Sequence, residues 1–265
     1  MNSVKPKKFL GQHFLTDQGI ARDIADTVDL CPDIPILEVG PGMGVLTQYI
    51  IPKGRAFKVV EIDRESVPYL KAHFPELGDG IIEADFLQMN LKEVFGGQPF
   101  VLTGNYPYNI SSQIFFKMLE NKDLIPCCTG MIQKEVAERM AATPGTKAYG
   151  VLSVLVQAWY DVNYLFTVHE HVFNPPPKVK SAVISIIRNQ KTSLGCDEAL
   201  FRRIVKTVFT MRRKMMRNPM KQILPKDCPL LADPIFNKRP EQLSVDEFIA
   251  LTNLVEKTLK EATPA

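Results

Sequence analysis

Residues 36–44 read Ile-Leu-Glu38-Val-Gly40-Pro-Gly42-Met-Gly44, a short apolar run followed at once by three glycines at alternate positions. Few features restrict a chain more. The run predicts a strand, and the glycines predict a tight turn that hands over to a helix. In such a turn the backbone can approach a ligand closely, and helix N-terminal amides point at it. The chain must therefore build a sheet whose strand ends face a binding crevice.

The remainder of the chain agrees with this. From Ile36–Val39 onward, β-branched runs at 58–62, 80–84, 100–103 and 129–132 alternate with helical patterns such as 65–74 and Ser111–Glu120. That alternation predicts βαβ units, and so an α/β, doubly wound Rossmann-like sheet with helices on both faces. Two more strand-like runs follow at 164–168 and 182–187. After Arg188 a polar stretch, 189–196, reads as a linker, and only helical patterns remain, at 197–211, 220–223 and 244–259. Ser244 with Glu247 three residues on is a capping box opening the last of these. The predicted organisation is a catalytic domain over residues 1–188 and a small all-helical domain over 197–265.

At 265 residues and 45% hydrophobic, the chain can bury a full core plus a smaller second one. Its five cysteines, at 31, 127, 128, 196 and 228, lack metal-ligand spacing, so reduced thiols and no metal are expected. His169 and His171 flank Glu170 but have no further ligands at useful spacing, and read as surface residues on a strand. Cys127 and Cys128 read as buried in the fifth strand. Residues 1–15 carry lysines without a following apolar stretch, and no run could span a bilayer. A cytoplasmic, monomeric protein without membrane contact is expected.

The glycine spacing is G-x-G-x-G, not the dinucleotide pattern G-x-G-x-x-G. Glu61 ends the second strand about twenty residues after Gly40, where ribose hydroxyls are read in such folds. Asp85 ends the third, where a carboxylate could accept from an adenine amino group, or could simply cap a helix with Gln88. Three features at three successive strand ends favour a nucleotide-like ligand held by Gly40, Gly42, Glu61 and Asp85.

At the fourth strand end stands Gly104-Asn105-Tyr106-Pro107-Tyr108-Asn109-Ile110. An exocyclic adenine amine is a poor nucleophile because its lone pair is delocalised into the ring. The Asn105 side-chain carbonyl, with the backbone carbonyl before the proline, could accept both amino protons and localise that pair as attack proceeds. Tyr108 would stack on the base. Phe173, ahead of the stiff Pro175-Pro176-Pro177 run, is expected to form the other half of an aromatic sandwich.

These residues resemble a known family, the small-subunit ribosomal RNA adenine N6,N6-dimethyltransferases. The resemblance rests on Phe9-Leu-Gly-Gln-His-Phe-Leu15, Glu38–Gly44, Glu61-Ile-Asp63, Ala84-Asp85, Asn105–Ile110, Lys147-Ala-Tyr-Gly150 and the Phe173–Lys178 stretch. It implies S-adenosyl-L-methionine as cofactor, dimethylation of two adjacent adenosines near the 3′ end of 16S rRNA, and a role late in small-subunit biogenesis on a pre-30S particle. It also implies cofactor contacts from His13, Leu15, Gly40, Glu61, Asp85 and Asn105. Many relatives carry Asn where this chain has His13, and Leu where it has Tyr106. The alternatives are the large-subunit methyltransferases of macrolide resistance, a DNA adenine methyltransferase, and a non-catalytic RNA-binding assembly factor. An NAD-dependent oxidoreductase is disfavoured by the glycine spacing and by Asn105–Tyr108.

Charge is uneven. No Asp or Glu falls between Ala199 and Lys226, while Arg202, Arg203, Lys206, Arg212, Arg213, Lys214, Arg217, Lys221 and Lys226 do. With Phe201, Ile204, Val205, Val208 and Phe209 as the apolar face, the cations should point outward. Arg212, Arg213, Lys214 and Arg217 are the expected RNA-binding residues.

Overall fold

The computed structural model describes Lys7 and residues 13–262. In chain order the elements are β1 (Phe14–Leu15), α1 (Gln18–Asp26), β2 (Ile36–Val39), α2 (Thr47–Ile50), β3 (Phe57–Glu61), α3 (Ser66–His73), β4 (Ile81–Glu83), α4 (Leu91–Val94), β5 (Val101–Thr103) and α5 (Ser111–Glu120). There follow β6 (Cys127–Gln133), α6 (Lys134–Met140), α7 (Val151–Gln157), β7 (Tyr160–Val168), β8 (Phe173–Asn174), β9 (Ser181–Arg188), α8 (Glu198–Phe209), α9 (Arg217–Met220) and α10 (Val245–Ala262).

Seven strands form one sheet in the order β4-β3-β2-β5-β6-β9-β7. The first five run parallel, and β9 pairs antiparallel with β6. Every residue of β2 and β5 is buried, as expected for strands covered on both faces. Strand order reverses between β2 and β5, so the crevice at their carboxyl ends is where a ligand belongs in this topology. The glycine turn leaves β2 there, and Asn105 leaves β5 there.

The chain divides into two compact units. The first comprises the residues up to Ala137 together with Asp161–Arg188. Its core includes Ala21, Ile24 and Ala25 of α1 with Ile36, Val101, Met131 and Val183 from four strands. Helix α1 starts at an Asp17 cap, whose side chain accepts from the Ile20 amide at 3.0 Å.

The second unit is Glu138–Tyr160 plus the chain from Asn189 onward. Residues 138–160 thus cluster with the helices, not with the sheet domain to which the sequence pattern assigned them. The apolar run of α7 packs against α8, and Gln157 donates to the Met140 and Ala142 carbonyls. Asp197 caps α8 through the Leu200 amide at 2.8 Å. Phe201, Ile204, Val205 and Val208 are buried, and α8 also packs on α10. The capping box of α10 is complete: Ser244 N–H donates to Glu247, and Glu247 N–H donates to the Ser244 hydroxyl.

Cys127 and Cys128 are fully buried in β6. His169 and His171 are exposed, as expected, but lie beyond β7 instead of on a strand, His169 just before a 3-10 turn and His171 within it. Among the described residues no cluster of His, Cys, Asp or Glu could hold a metal. No helix among them is long and apolar enough to cross a membrane.

Candidate active site

One side of the crevice is held by backbone. Gly40 N–H continues the ladder onto the Val60 carbonyl at 2.9 Å. Gly42 has φ +56°, a conformation costly for other residues, and its N–H reaches Glu61 Oε2 at 2.9 Å. Glu61 Oε1 accepts the Ile62 and Asp63 amides, each at 2.9 Å. Three of the four lone-pair sites on this carboxylate are thereby filled, leaving one on Oε2. The ribose hydroxyls expected at Glu61 would meet Oε2, where one site is open. Burial pushes the Glu61 carboxyl up, and the Asp63, Gly42 and Ile62 amides oppose that shift.

Beside it, Glu38 is 1% exposed. Burial raises its carboxyl to about 8, aided by the Glu61 charge and opposed by the Thr47 hydroxyl, which donates at 2.7 Å. Glu38 is therefore mostly protonated at neutral pH. Asp85 does cap a 3-10 turn, with Oδ1 accepting the Leu87 amide at 2.9 Å. It lines the same cavity, so capping and ligand binding do not exclude one another.

The other side is held by side chains. Beyond β5 the chain stays bridged to β6: Tyr106 N–H donates to the Met131 carbonyl at 3.0 Å, and Met131 N–H to Gly104 at 2.9 Å. Tyr106 points into the core, its hydroxyl donating to the Thr129 carbonyl at 2.8 Å. The ring needs Gly130 beneath it, because a Cβ there would come within 2.9 Å of Tyr106 Cε2 and 2.2 Å of the Gly104 carbonyl oxygen.

Asn105 Nδ2 donates to the backbone carbonyl of His13 at 3.2 Å. A carbonyl cannot donate, so this contact fixes which end of the amide is which and leaves Oδ1 as the acceptor for a ligand. The Tyr108 hydroxyl is hydrogen-bonded to the Ser181 hydroxyl on β9. Burial pushes the Tyr108 phenol up, with the Ser181 bond opposing. The His13 ring stacks on Tyr108, and its Nδ1 contacts the Pro175 carbonyl.

One cavity brings together His13, Leu15, Gly40, Gly42, Glu61, Asp85, Asn105 and Tyr108, each singled out from the sequence. Phe173 is different. It is 3% exposed, pairs with Leu15 across the β1–β8 ribbon, and packs into the core. The expected sandwich of Tyr108 and Phe173 around a base is not formed, because burying this ring against Leu15 outweighs presenting it to solvent. Residues 9–12 of the N-terminal motif lie outside the described residues.

Sequence reasoning missed Glu38 as a buried acid, though a lone carboxylate inside an apolar strand was a usable signal. It also missed Ser181, which nothing in the pattern marks. In the helical unit, Arg213, Lys214 and Arg217 are exposed. Arg212 is half-buried, with its guanidinium donating to the Thr146 carbonyl at 3.1 Å.

A family model described as "Ribosomal RNA adenine dimethylase" matches residues 3–257. The chain belongs to this family. A relative from Phocaeicola vulgatus, named "Ribosomal RNA small subunit methyltransferase A", is 73% identical over 263 residues, 99% of this chain and 94% of the relative. A relative of the same name from Bacteroides thetaiotaomicron is 71% identical, covering 99% of this chain and 98% of its own. Among solved structures, a dimethyladenosine transferase from Plasmodium falciparum matches with TM-score 0.77 at 25% identity, over 93% of this chain and 98% of that one. The 23S rRNA methyltransferase ErmE matches with TM-score 0.64 at 25% identity, over 91% and 99%. The dimethylase family thus accounts for both compact units, not the sheet alone.

Proposed function

We propose that this chain is an S-adenosyl-L-methionine-dependent rRNA adenine N6,N6-dimethyltransferase. Its substrate is two adjacent adenosines near the 3′ end of small-subunit (16S) rRNA, within a pre-30S particle late in assembly. The observation that carries the chemistry is the fixed amide of Asn105, whose Nδ2 is tied to His13 so that Oδ1 is left as an acceptor at the strand-order reversal. When bound, S-adenosyl-L-methionine supplies an electrophilic methyl group on a sulfonium. Asn105 Oδ1 and the backbone carbonyl preceding Pro107 accept the two amino protons and localise the nitrogen lone pair as the new bond forms. Tyr108 stacks on the base. The proton becomes acidic only after the carbon–nitrogen bond forms, so no general base is required.

The residues fit the cofactor. Glu61 keeps one lone-pair site for a ribose hydroxyl while its other sites fix the glycine turn. Asp85 keeps Oδ2 for the adenine amine. Leu15, Gly40 and Gly42 line the cavity wall. The identity of 71–73% to relatives named for the small subunit favours that substrate over the large-subunit alternative. Incubating the protein with labelled S-adenosyl-L-methionine and unmethylated small subunits, then mapping the label, tests the reading. Label confined to other RNA, or absent, overturns it.

Arg212, Arg213, Lys214 and Arg217 grip rRNA phosphates in this reading, and the protein works as a cytoplasmic monomer. Changing Arg212, Arg213 and Arg217 to Glu should weaken subunit binding and flatten its salt dependence, since each phosphate contact contributes roughly 0.7–0.9 to the slope. Cofactor affinity should stay unchanged. A wild-type affinity and slope in the triple variant would make the run a solubilising face only.

A further inference from the structure

His13 touches three parts of the base side at once. Its ring centroid lies 5.5 Å from that of Tyr108, with the planes 28° apart. Its Nδ1 lies 2.8 Å from the Pro175 carbonyl oxygen. Because that oxygen only accepts, Nδ1 carries a proton, and the neutral ring is the Nδ1–H tautomer. Its backbone carbonyl receives Asn105 Nδ2.

Tyr108 is thus pinned at its hydroxyl by Ser181 and on one face by an imidazole. Only its other face is left for a base. Phe173 is in the core and supplies no second ring. We propose that His13 is a positioning residue for the target base. Its imidazole backs Tyr108, making the stack imidazole, phenol, adenine, and its backbone carbonyl sets the Asn105 amide. This rests on the role given above to Tyr108, and gives the His13 side chain a part on the base side of the cavity.

The physical consequence is on rate. A ring free to tilt carries the stacked base with it, and displacements near 1 Å at a reacting centre can cost about 100-fold. Cofactor affinity depends on other groups and should not follow.

Three variants of the full chain separate the possibilities, and all keep the backbone carbonyl. His13→Ala should slow single-turnover methylation of unmethylated small subunits by roughly 10- to 100-fold, with S-adenosyl-L-methionine affinity within about twofold of wild type. His13→Phe, which restores a stacking ring, should recover most of the rate. His13→Asn, which restores an N–H for Pro175 but no ring, should stay slow. If Asn rescues and Phe does not, the loop tie matters and the stack does not. If all three variants lose cofactor affinity in step, His13 is a cofactor contact. If His13→Ala is wild type in rate, the residue positions nothing. Each of these overturns the proposal.

A readout independent of activity accompanies them. The chain has four histidines, so imidazole NMR signals are sparse enough to assign His13 by its disappearance in His13→Asn. The wild-type ring should show the Nδ1–H tautomer and a ring-current shift that vanishes in Tyr108→Leu. An unchanged shift in that variant refutes the stack. If the wild-type protein labels no small-subunit RNA while the shift behaves as expected, the functional reading fails and the stack stands.

Discussion

The two sides of the crevice are built in opposite ways. On the Glu61 side, the carboxylate's own ties are short in sequence: it holds amides one, two and nineteen residues away. On the Asn105 side, the ties span long stretches of chain: 92 residues from Asn105 to His13, 73 from Tyr108 to Ser181, and 162 from His13 to Pro175. The first side is set once two neighbouring parallel strands have paired. The second needs the N-terminal ribbon and the 173–181 segment to have arrived. A nucleotide cleft of common design can therefore keep its cofactor geometry while the base side changes with distant segments. The side proposed to take the base is the one whose contacts are non-local.

Breaking the distant layer should give the largest effect. Phe173→Ala removes a buried ring from the β1–β8 ribbon and the core, which typically costs about 3–5 kcal/mol of stability. Thermal melting should show it, and below the transition methyl transfer should slow while cofactor binding persists. Phe173→Leu sharpens the point, because a roughly volume-conserving apolar change usually costs less than about 1.5 kcal/mol. The Leu variant should methylate near the wild-type rate. Slow turnover in a well-folded Phe173→Leu protein would restore the aromatic-sandwich role that its burial speaks against.

Next comes Asn105→Ala. Loss of one transition-state acceptor costs about 3–4 kcal/mol, so single-turnover rates should fall by a few hundredfold. Calorimetric titration with S-adenosyl-L-methionine should change little, because Asn105 faces that cavity from the side held by His13. A rate near wild type would remove Asn105 from the chemistry. Glu61→Ala is the mirror experiment on the local side. Losing a hydrogen bond to a charged group costs roughly 1.5–3 kcal/mol, or about 10- to 150-fold in cofactor affinity. The variant should also melt lower, since the Gly42, Ile62 and Asp63 amides lose their acceptor. Unchanged cofactor affinity would show that Oε2 is not a ligand contact.

This contrast also governs what could be read from the sequence. The glycine turn, Glu61 and Asp85 follow their strands at short spacing, so local pattern located them. So did the Asp197 and Ser244 ends of α8 and α10, where a cap and its partner are three residues apart. Asn105 and Tyr108 were legible as residues, but the His13 and Ser181 contacts that hold them were not. Phe173 was misplaced for the same reason: three prolines after it suggested an outward loop, and a two-residue strand pairing with Leu15 leaves no periodic trace. The run Val151-Leu-Ser-Val-Leu-Val156 fits a buried strand or a buried helix equally well, so its membership in the helical unit had to come from packing.

Per pH unit, the smallest expected effect lies under the local side, at Glu38. Its carboxyl is raised to about 8 by burial, from an ordinary value of 4.5. Between those values the folded chain keeps a proton that the unfolded chain has released. The native state then binds more protons, so this group lowers stability as pH rises from 4.5 toward 8. Glu38→Gln removes the titration while keeping a side-chain carbonyl for the Thr47 hydroxyl, which donates to Glu38 at 2.7 Å. The variant should gain on wild type as pH increases. From pH 5 to 6 the gain is at most about 1.4 kcal/mol, the worth of one pH unit for one proton. Above pH 8 both states are ionised and the difference should level off. Parallel thermal or denaturant melts of the two proteins across pH 5–9 check this. A difference that stays flat with pH would mean that Glu38 is ionised in the fold, and that the local side carries a buried charge instead of a neutral acid.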